Sequence, residues 1–365
     1  METSPKHSSS ISPTGGLAVR SKKRIVPRFI ISDNSSEIFC VRFSPDDQYL
    51  AASHANGLIK IFSTASGKTA FQLNTGEHAP TTQLRWRPLA NAGKTRNVLV
   101  SVNSDGQVQH WHMNSGKLLS EIGEKGNQLF CVDYTNDGSL FAVAGRNREV
   151  HVYDETTRQV HTTLKGGEFS AAPGHSNRVF SLKFHPTDPN VILSGGWDNT
   201  VHVWDIRTGH SVRNIFGPFI CGDALDISKD GKRVLTGSWR TSRQLQIWDF
   251  DSCELMEDIP WVGGSQAPGF RNRAASAIAA TTASQAESCM VYSCQFAKND
   301  YADAIVAGGS GLNETKLFDR EANNSPFGTI TATAKGFYSV DFSQDATMVA
   351  MAGGDGAIRV MNVQR

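Results

Sequence analysis

One unit in the middle of the chain limits what the rest can fold into. Residues 174–205 read GHSNRVFSLKFHPTDPNVILSGGWDNTVHVWD. Short runs of apolar residues alternate with polar ones, and turn residues such as Pro186 and the Asp198-Asn199 pair separate the runs. Alternation with a period of two predicts strands that bury one face. The unit therefore predicts antiparallel β-strands joined by tight turns.

The same unit recurs along the chain with substitutions and insertions. Alignment of its third run places seven residues in one column: Phe62, Trp111, Tyr153, Trp204, Trp248, Phe318 and Met361. Their spacings of 49, 42, 51, 44, 70 and 43 residues are near the roughly 40 to 45 of a four-stranded propeller blade once insertions are allowed. The Gly174-His175 and Trp204-Asp205 pairs resemble repeats of the WD-repeat (WD40-type) β-propeller family. That resemblance implies an all-β, seven-bladed β-propeller.

The two ends of the chain are expected to close the ring. Arg365 follows directly after the third run of the seventh repeat, so this blade lacks its outer strand. The segment 27–32 (PRFIIS) precedes the first repeat and can supply that strand, which removes an exposed sheet edge. The propeller is therefore predicted over residues 27–365.

Two segments differ in composition from the repeats. Residues 1–26 are rich in Ser, Pro and Lys and lack a hydrophobic period, which predicts a disordered basic tail. Within it, Ser4 and Ser12 precede prolines and can be phosphorylated, and residues 21–24 (SKKR) suggest a nuclear-import or acidic-partner patch; a solvated tail is the simpler interpretation. Residues 262–288 are rich in Ala, Ser and Thr. They predict a mobile surface loop, either partner-binding or merely tolerated.

Charge and cysteine usage exclude some classes of protein. The net charge is +1, but residues 1–28 carry +5 and residues 29–365 carry −4, so the propeller offers no broad surface for nucleic acid. No apolar run approaches the roughly 18 residues that span a bilayer. The six cysteines show neither metal-binding nor disulfide spacing. We expect a cytoplasmic protein, with the nucleus and cytoskeletal or ciliary structures as further locations.

Four residues of the central unit form a pattern that invites a hydrolase interpretation: His175, Ser194, Asp198 and Trp204. Serine, histidine and aspartate are the residue types of nucleophilic catalysis. In the WD-repeat family, matching residues form a structural hydrogen-bond network that ends at the indole N–H. The resemblance implies that role here, so we expect no catalytic residue, no enzymatic activity and no cofactor.

Metal and phosphate sites are weakly indicated. His110 and His112 flank Trp111 on one predicted strand and share a face, but two ligands are too few for a zinc site. A surface pair is expected instead, and no metal. Glycine pairs such as Gly195-Gly196 are interpreted as turn residues rather than as a phosphate-binding loop.

One column of the repeats suggests a protein-binding surface. It lies in the loop between the second and third strands, which the resemblance places on the narrow face. The predicted arc consists of Arg146, Trp197 and Trp239, with Arg148, Arg240 and Arg243 beside it. Trp and Arg are the residue types of binding hot spots. The alternative is that the indoles fold down over their own blades.

A second column lies four residues before the last aromatic of each first run. It contains Phe39, Phe130, Phe180, Tyr292 and Tyr338, with Asp223 as its single acidic member. In related propellers this position lies near the mouth of the central channel. The resemblance implies that the aromatic rings can hold an inserted arginine or methylated lysine by cation–π attraction, with Asp223 as its counter-charge. Packing between blades explains the rings equally well.

The resemblance implies a rigid platform for other proteins. We expect a scaffold or adaptor that binds proteins or peptides on the narrow face and at the channel mouth, as a monomeric subunit of a larger complex. Two alternatives stay open. One is a propeller-fold enzyme, since fold does not decide function, and the other is a nucleic-acid-associated protein that uses the basic tail.

Overall fold

Seven blades surround a central channel. The computed structural model describes residues 21–32, 36–74, 76, 79–91, 95–166, 173–261, 288–331 and 333–365. Within these residues, 28 strands form seven four-stranded antiparallel sheets. The predicted all-β, seven-bladed propeller is confirmed. No helix in the described part of the chain is long and apolar enough to cross a membrane.

The strands of the first four blades follow one another along the chain. Strand β1 (Arg24–Ser32) precedes them. Blade one contains β2 (Ile38–Phe43), β3 (Tyr49–His54), β4 (Ile59–Ser63) and β5 (Thr69–Leu73). Blade two contains β6 (Thr81–Trp86), β7 (Val98–Asn103), β8 (Gln107–His112) and β9 (Lys117–Gly123), with short 3-10 helices at Leu89–Asn91 and Met113–Ser115. Blade three contains β10 (Leu129–Tyr134), β11 (Leu140–Gly145), β12 (Val150–Asp154) and β13 (Val160–Leu164). Blade four contains β14 (Val179–Phe184), β15 (Val191–Gly196), β16 (Thr200–Asp205) and β17 (His210–Phe216).

The remaining blades complete the ring. Blade five contains β18 (Leu225–Ile227), β19 (Arg233–Gly237), β20 (Leu245–Asp249) and β21 (Leu255–Ile259). Blade six contains β22 (Cys289–Phe296), β23 (Ala304–Gly311), β24 (Thr315–Asp319) and β25 (Ser325–Ile330). Blade seven combines β26 (Phe337–Phe342), β27 (Met348–Gly353) and β28 (Ala357–Gln364) with β1 as its outer strand.

Burial of the strands falls from the channel to the rim. Inner strands such as β2 and β10 are buried at nearly every position, because each packs between two neighbouring blades. Outer strands such as β5 and β9 expose most of their positions. One apolar cluster joins Val41 of blade one to Ala350 of blade seven, and another joins Cys131 of blade three to Leu182 of blade four. Face-to-face packing of successive blades therefore holds the ring together.

The ring closes in blade seven. Strand β1 pairs antiparallel with β28, beginning with Arg24 opposite Gln364. The register shifts between Pro27 and Phe29, where a bulge accommodates a proline that has no N–H to donate. The predicted closure by an N-terminal strand is confirmed.

The propeller starts earlier than the sequence predicted. Strand β1 begins at Arg24, so the boundary placed after residue 26 is too late. The ammonium of Lys23 is buried, 2.6 Å from the Asp319 carboxylate in blade six and 2.9 Å from that of Glu321. Ser21 donates a further hydrogen bond to Asp319. A buried carboxylate needs such partners, and the basic segment supplies them.

The remainder of the two compositionally distinct segments lies outside the described residues. This applies to residues 1–20 of the predicted tail and to residues 262–287 of the predicted loop. Ser288, at the end of that loop, is half-buried and accepts a hydrogen bond from the Gln244 side chain of blade five.

Two neighbouring lysines give a matched test of this closure. We expect Lys23→Ala to lower the free energy of unfolding by about 3 kcal/mol, as when a buried ion pair loses one partner. Lys22 is exposed, and Lys22→Ala should change it by less than about 0.5 kcal/mol. Urea unfolding of both variants measures the difference. Equal midpoints for the two would show that Lys23 does not secure the N-terminal strand.

Candidate functional site

A chain of hydrogen bonds links the loop before blade four to its third strand. The indole N–H of Trp204 donates to Ser194 Oγ at 2.7 Å, and this oxygen lies 2.6 Å from Nε2 of His175. Nδ1 of the same ring lies 2.8 Å from Oδ2 of Asp198. Burial alone would raise the pKa of Asp198, but hydrogen bonds from His175 and the Ser176 backbone hold it below its ordinary value. The ionised carboxylate places the His175 proton on Nδ1.

This geometry resembles a Ser-His-Asp triad, but its surroundings do not suit catalysis. Ser194 and Trp204 are both 0% exposed, and Ser194 Oγ already accepts the indole N–H. A nucleophile has to reach its substrate, and a fully buried hydroxyl does not. The side chains instead satisfy one another, as buried polar groups must. The arrangement supports a structural role for all four residues.

A possible ligand set for a metal ion overlaps this network. His175, Asp198 and His202 place potential ligand atoms within 4.8 Å of one another. Both ring nitrogens of His175 already have partners in Asp198 and Ser194. Burial and the neighbouring His175 lower the pKa of His202 to about 4, and its Nδ1 lies 2.9 Å from Ser211 Oγ. A metal ion would have to break the network, so these side chains do not fit one.

The two histidines that flank Trp111 occupy different environments. His110 is 0% exposed, 3.2 Å from the carboxylate of Glu155 and edge-on to Phe141. His112 is half-buried and bonds Ser115. The expected surface pair is therefore wrong for His110, because blade three covers this strand of blade two.

Blades two and five keep a reduced form of the network. The indole of Trp111 donates to Ser101 Oγ at 3.1 Å, and that of Trp248 donates to Thr236 Oγ1 at 2.9 Å. Among the residues that the structure describes, no hydrogen bond joins either hydroxyl to a histidine, as His175 joins Ser194 in blade four. The indole N–H is thus the group that every version of the network satisfies.

Blade three uses a different acid for the same purpose. The Tyr153 hydroxyl donates to Glu124 at 2.8 Å, and Nδ1 of His151 lies 2.7 Å from the same carboxylate oxygen. Asn127 donates to its other oxygen at 2.7 Å. Sequence analysis missed Glu124, because it lies in the preceding connection and not at the Gly-His position of a repeat. The sequence did contain a signal for this acceptor. Tyr153 stands at the position where other repeats have tryptophan, and a buried tyrosine hydroxyl requires a hydrogen-bond acceptor.

A β-bulge recurs at one position of the inner strands and aims side chains at the channel mouth. The residues skipped by the pairing register are Phe39, Thr82, Phe130, Phe180, Tyr292 and Tyr338. A bulge re-aims its extra side chain. Opposite the bulge of blade four, Gly196 is required, because a Cβ there would lie 2.0 Å from the carbonyl oxygen of Arg178. Gly195 and Gly196 therefore belong to strand β15 and are not turn residues.

The aromatic members of this column line one cavity of about 310 Å³. The rings of Phe130 and Phe180 stack with centroids 4.7 Å apart, and Phe39 stacks on Tyr338 at 6.1 Å. Tyr292 meets Tyr338 edge-on at 5.6 Å. We call these five half-buried residues the aromatic collar. The structure thus brings all five together at the channel mouth.

Asp223 lies at the floor of the aromatic collar and is not a free counter-charge. Arg42 forms an ion pair with it, and Nη2 of Arg85 lies 2.9 and 3.1 Å from its two oxygens. These arginines belong to blades one and two and reach across the channel. The expectation that Asp223 awaits a cation from a partner is wrong, because the fold itself supplies two.

A polar ring lies below the aromatic collar. It consists of the residue directly before the last aromatic or apolar residue of each inner strand: Arg42, Arg85, Asp133, Lys183, Asp226, Gln295 and Asp341. Lys183 pairs with Asp226 at 3.2 Å. Asp341 and Asp133 accept backbone N–H groups of the next blade, from Phe43 and Phe184. Sequence analysis missed this ring, although its constant position in every repeat was a usable signal.

Trp197 and Trp239 fold down toward the aromatic collar. The Trp197 ring lies 4.9 Å from Phe180, and the Trp239 ring lies 6.2 Å from Tyr292. Both indoles are half-buried, and both indole N–H groups have partners. Trp197 folds over its own blade, as the alternative interpretation has it, and Trp239 lies against Tyr292 of blade six, so both indoles join the aromatic collar in one continuous surface.

The two arginines predicted beside the indoles differ in availability. Arg146 is exposed. Arg240 donates to the carbonyl oxygens of Gly217 and Arg243 and to the Gln246 side chain. Its guanidinium therefore holds its own loop in place and is not free for a partner.

Equivalent serines in blades two and four allow a test of the network. Ser194→Ala leaves a buried indole N–H and a histidine nitrogen without partners, whereas Ser101→Ala removes the acceptor of the Trp111 indole and, within the described part of the chain, affects no histidine. We expect losses in the free energy of unfolding of about 3 and about 1.5 kcal/mol, respectively. Urea midpoints of the two variants measure this. A Ser194→Ala loss no larger than that of Ser101→Ala would contradict the extended network.

The contact between Glu124 and His151 in blade three predicts that the stability of the fold depends on pH. Burial lowers the pKa of His151, but Glu124 and Glu149 outweigh it and raise the pKa above its ordinary value. Burial raises the pKa of Glu124, but His151, Asn127 and Tyr153 outweigh it and depress the pKa. The His151 contribution is thus complete below about pH 6.5 and is lost as pH rises through its raised value. The Glu124 contribution is lost only as pH falls through its depressed value.

The matched variants are His151→Gln and His161→Gln, the latter at an exposed position of the same blade. The melting temperature of wild type and of His161→Gln should fall more between about pH 6 and 8 than that of His151→Gln. Parallel pH profiles for all three proteins would contradict this assignment.

Models of repeat families match several parts of the chain. The model described as WD domain, G-beta repeat matches residues 116–154, 167–205 and 324–362. The model described as anaphase-promoting complex subunit 4 WD40 domain matches residues 17–88. These segments include strands of every blade except blade five.

The chain is also similar to named proteins. It is 21% identical over 233 residues, 63% of this chain and 48% of the relative, to cell division cycle 20.1, cofactor of APC complex, of Arabidopsis thaliana. It is 23% identical over 185 residues, 50% of this chain and 53% of the relative, to COMPASS component SWD3 of Saccharomyces cerevisiae. It is 29% identical over 197 residues, 51% of this chain and 34% of the relative, to WD repeat-containing protein 25 of Mus musculus. The chain thus spans about half or less of the length of these relatives. Each match to the WD domain, G-beta repeat model ends at or within a third strand, in blades three, four and seven. The matched repeats therefore coincide with the blades of the propeller, and the chain belongs to the WD-repeat family of β-propeller proteins.

Proposed function

We propose that this protein is a non-enzymatic scaffold or adaptor that binds a partner protein or peptide on the narrow face of the propeller. The observation that carries the proposal is the continuous surface of the aromatic collar, Trp197 and Trp239 around a cavity of about 310 Å³. Aromatic side chains supply most of the affinity at many interfaces. A concave, pre-formed and mostly apolar cavity is the usual form of a binding site.

The rigid frame around this surface supports the proposal. Each ring of the aromatic collar sits on a bulge of an inner strand, and inner strands are the most buried part of each blade. Binding to such a surface orders few additional groups, which reduces the entropy lost on association. The hydroxyl of Ser194 is buried, which favours a binding protein over a hydrolase.

The names of two relatives agree with a role in assemblies. One is a cofactor of the APC complex, and another is a component of COMPASS. By analogy, this chain acts as a monomeric subunit of a larger complex and needs no cofactor. All six cysteines are free, which suits an intracellular compartment.

The nucleic-acid alternative loses part of its basis. Lys23 of the basic segment is buried against Asp319, and Arg24 donates to Gln364. These side chains serve ring closure, so fewer cations are left to contact phosphates.

A double substitution tests the proposed binding face. Trp197→Ala with Trp239→Ala should reduce the recovery of a specific set of proteins in proximity labelling by more than about tenfold, because aromatic hot spots are removed. The control is Leu118→Ala with Val160→Ala, at exposed positions of the outer strands of blades two and three. Melting temperatures verify that each variant is folded. An unchanged set of labelled proteins in the tryptophan variant would contradict the proposal.

A further inference from the structure

The floor of the aromatic collar cannot accept a further cation without loss of the ion pairs in the channel. Among the described residues that line the cavity, Asp223 is the carboxylate. Arg42 and Arg85 both pair with it, and their side chains are 7% and 9% exposed. Arg85 also pairs with Asp133 at 3.2 Å, but a cation that displaced Arg42 from Asp223 would leave this buried guanidinium without an ion pair among the described residues, which is strongly unfavourable.

Two further polar side chains at the floor also have hydrogen-bond partners. The hydroxyl of Thr82 lies 2.8 Å from the carbonyl oxygen of Leu129 and 3.1 Å from that of Val102. Oε1 of Gln83 accepts the backbone N–H of Val132 at 2.6 Å. The cavity therefore presents aromatic rings and few free hydrogen-bonding groups. Such a surface favours an uncharged apolar side chain, because a buried polar group without a partner costs free energy.

Unpaired cations border one side of the aromatic collar. Arg146 and Arg148 are exposed in the loop between β11 and β12. The guanidinium of Arg178 lies 5.2 Å from the centre of the Trp197 ring. Within the described ranges, no ion pair joins any of these three arginines to a carboxylate. We call Arg146, Arg148 and Arg178 the cationic rim.

Two other cations on the narrow face have carboxylate partners. Arg243 lies 3.3 Å from the Asp258 carboxylate, and Lys335 lies 2.6 Å from that of Glu37. The three arginines of the cationic rim thus place positive charge beside Phe130 and Phe180 that no carboxylate among the described residues pairs with. Negative charge in a ligand would be attracted to that side.

From these contacts we infer that the aromatic collar takes an uncharged aliphatic or aromatic side chain from a partner segment whose acidic residues lie over the cationic rim. The inference rests on the proposed function and names the chemistry of its ligand. It replaces the cationic ligand that the aromatic column alone suggested. The apolar anchor fills the cavity, and the acidic flank sets the direction in which the segment lies across blades three and four.

A phage-displayed library of random short peptides, selected on the full chain, tests the inference. Enriched peptides should share one Leu, Ile, Phe or Trp next to Asp or Glu. For a synthetic peptide of this type, binding should weaken by at least about 30-fold when the anchor is changed to Arg. Binding should also weaken as salt rises from roughly 0.05 to 0.5 M.

Variants of the protein locate the bound peptide. Phe180→Ala should weaken binding by at least about 30-fold through loss of a collar ring. Arg146→Glu should weaken it by about tenfold and reduce its salt dependence. Arg243→Glu makes the same charge change on the same face, at a residue that pairs within its own blade, and should leave the affinity within about twofold. Melting temperatures establish that each variant is folded.

Several outcomes would overturn the inference. Enriched peptides with an Arg or Lys anchor would do so, as would tighter binding of a trimethyl-lysine peptide than of its Leu counterpart. Selection of peptides that are indifferent to Phe180→Ala would also overturn it. If the cellular partners still depend on Trp197 and Trp239 in these cases, the proposed function stands and only the ligand chemistry is wrong. If they do not, both fail.

Discussion

Backbone pairing between β1 and β28 is the interaction on which the rest of the ring depends. An open blade seven would expose a full sheet edge, which is a template for association with other chains. The side chains of β1 also complete two cores. Ile25 packs against a cluster that includes Met361, and Phe29 packs against the cluster that contains Ile358. One strand thus satisfies hydrogen bonds and apolar packing on both sides of the closure.

The interior of the propeller does not exclude polar side chains. These side chains form hydrogen bonds and ion pairs with one another and with the backbone. The channel carries a charged side chain of either sign at one position of six of the seven inner strands, and the carboxylates Asp133 and Asp341 also accept backbone N–H groups of a neighbouring blade. Hydrogen bonds to charged groups are stronger than neutral ones, and a missing partner is costly. The charged side chains of the channel therefore pair with groups of the propeller itself and are not available to a ligand. The chemistry of the channel mouth follows from what the floor already holds.

Much of the fold was available from the sequence because the repeats carry a regular spacing. The column of seven residues that includes Trp111, Trp204 and Trp248 predicted the number of blades. Segment 27–32 had no strand of its own repeat to pair with, and it predicted the strand that closes the ring. The four residues around Trp204 could be named in advance, since the Gly-His and Trp-Asp pairs fix their register. The collar residues could also be named, as the column was visible even though the bulge that aims it was not.

The features that were missed depend on contacts between distant parts of the chain. Nothing local in the sequence shows that Asp223 meets Arg42 and Arg85, or that Lys23 reaches Asp319 in another blade. Trp197 and Trp239 were interpreted either as an exposed arc or as folded down, and the sequence does not show which aromatic neighbour each indole packs against. His110 alternates correctly along its strand and is buried only because blade three covers it. Periodicity predicts which face a side chain takes, and tertiary packing decides what covers that face.

The contact of Arg42, Arg85 and Asp223 across the channel has a consequence for how the ring comes apart. Repeat proteins usually couple only adjacent units, so that their ends can fray while the middle persists. In this propeller, ion pairs across the channel connect blades one and two to blade five, which is not adjacent to either of them in the ring. Loss of blade one, two or five therefore removes an ion-pair partner from a charged side chain on the opposite side of the channel. Ion pairs across the channel thus favour cooperative unfolding of the whole ring over stepwise unfolding of single blades.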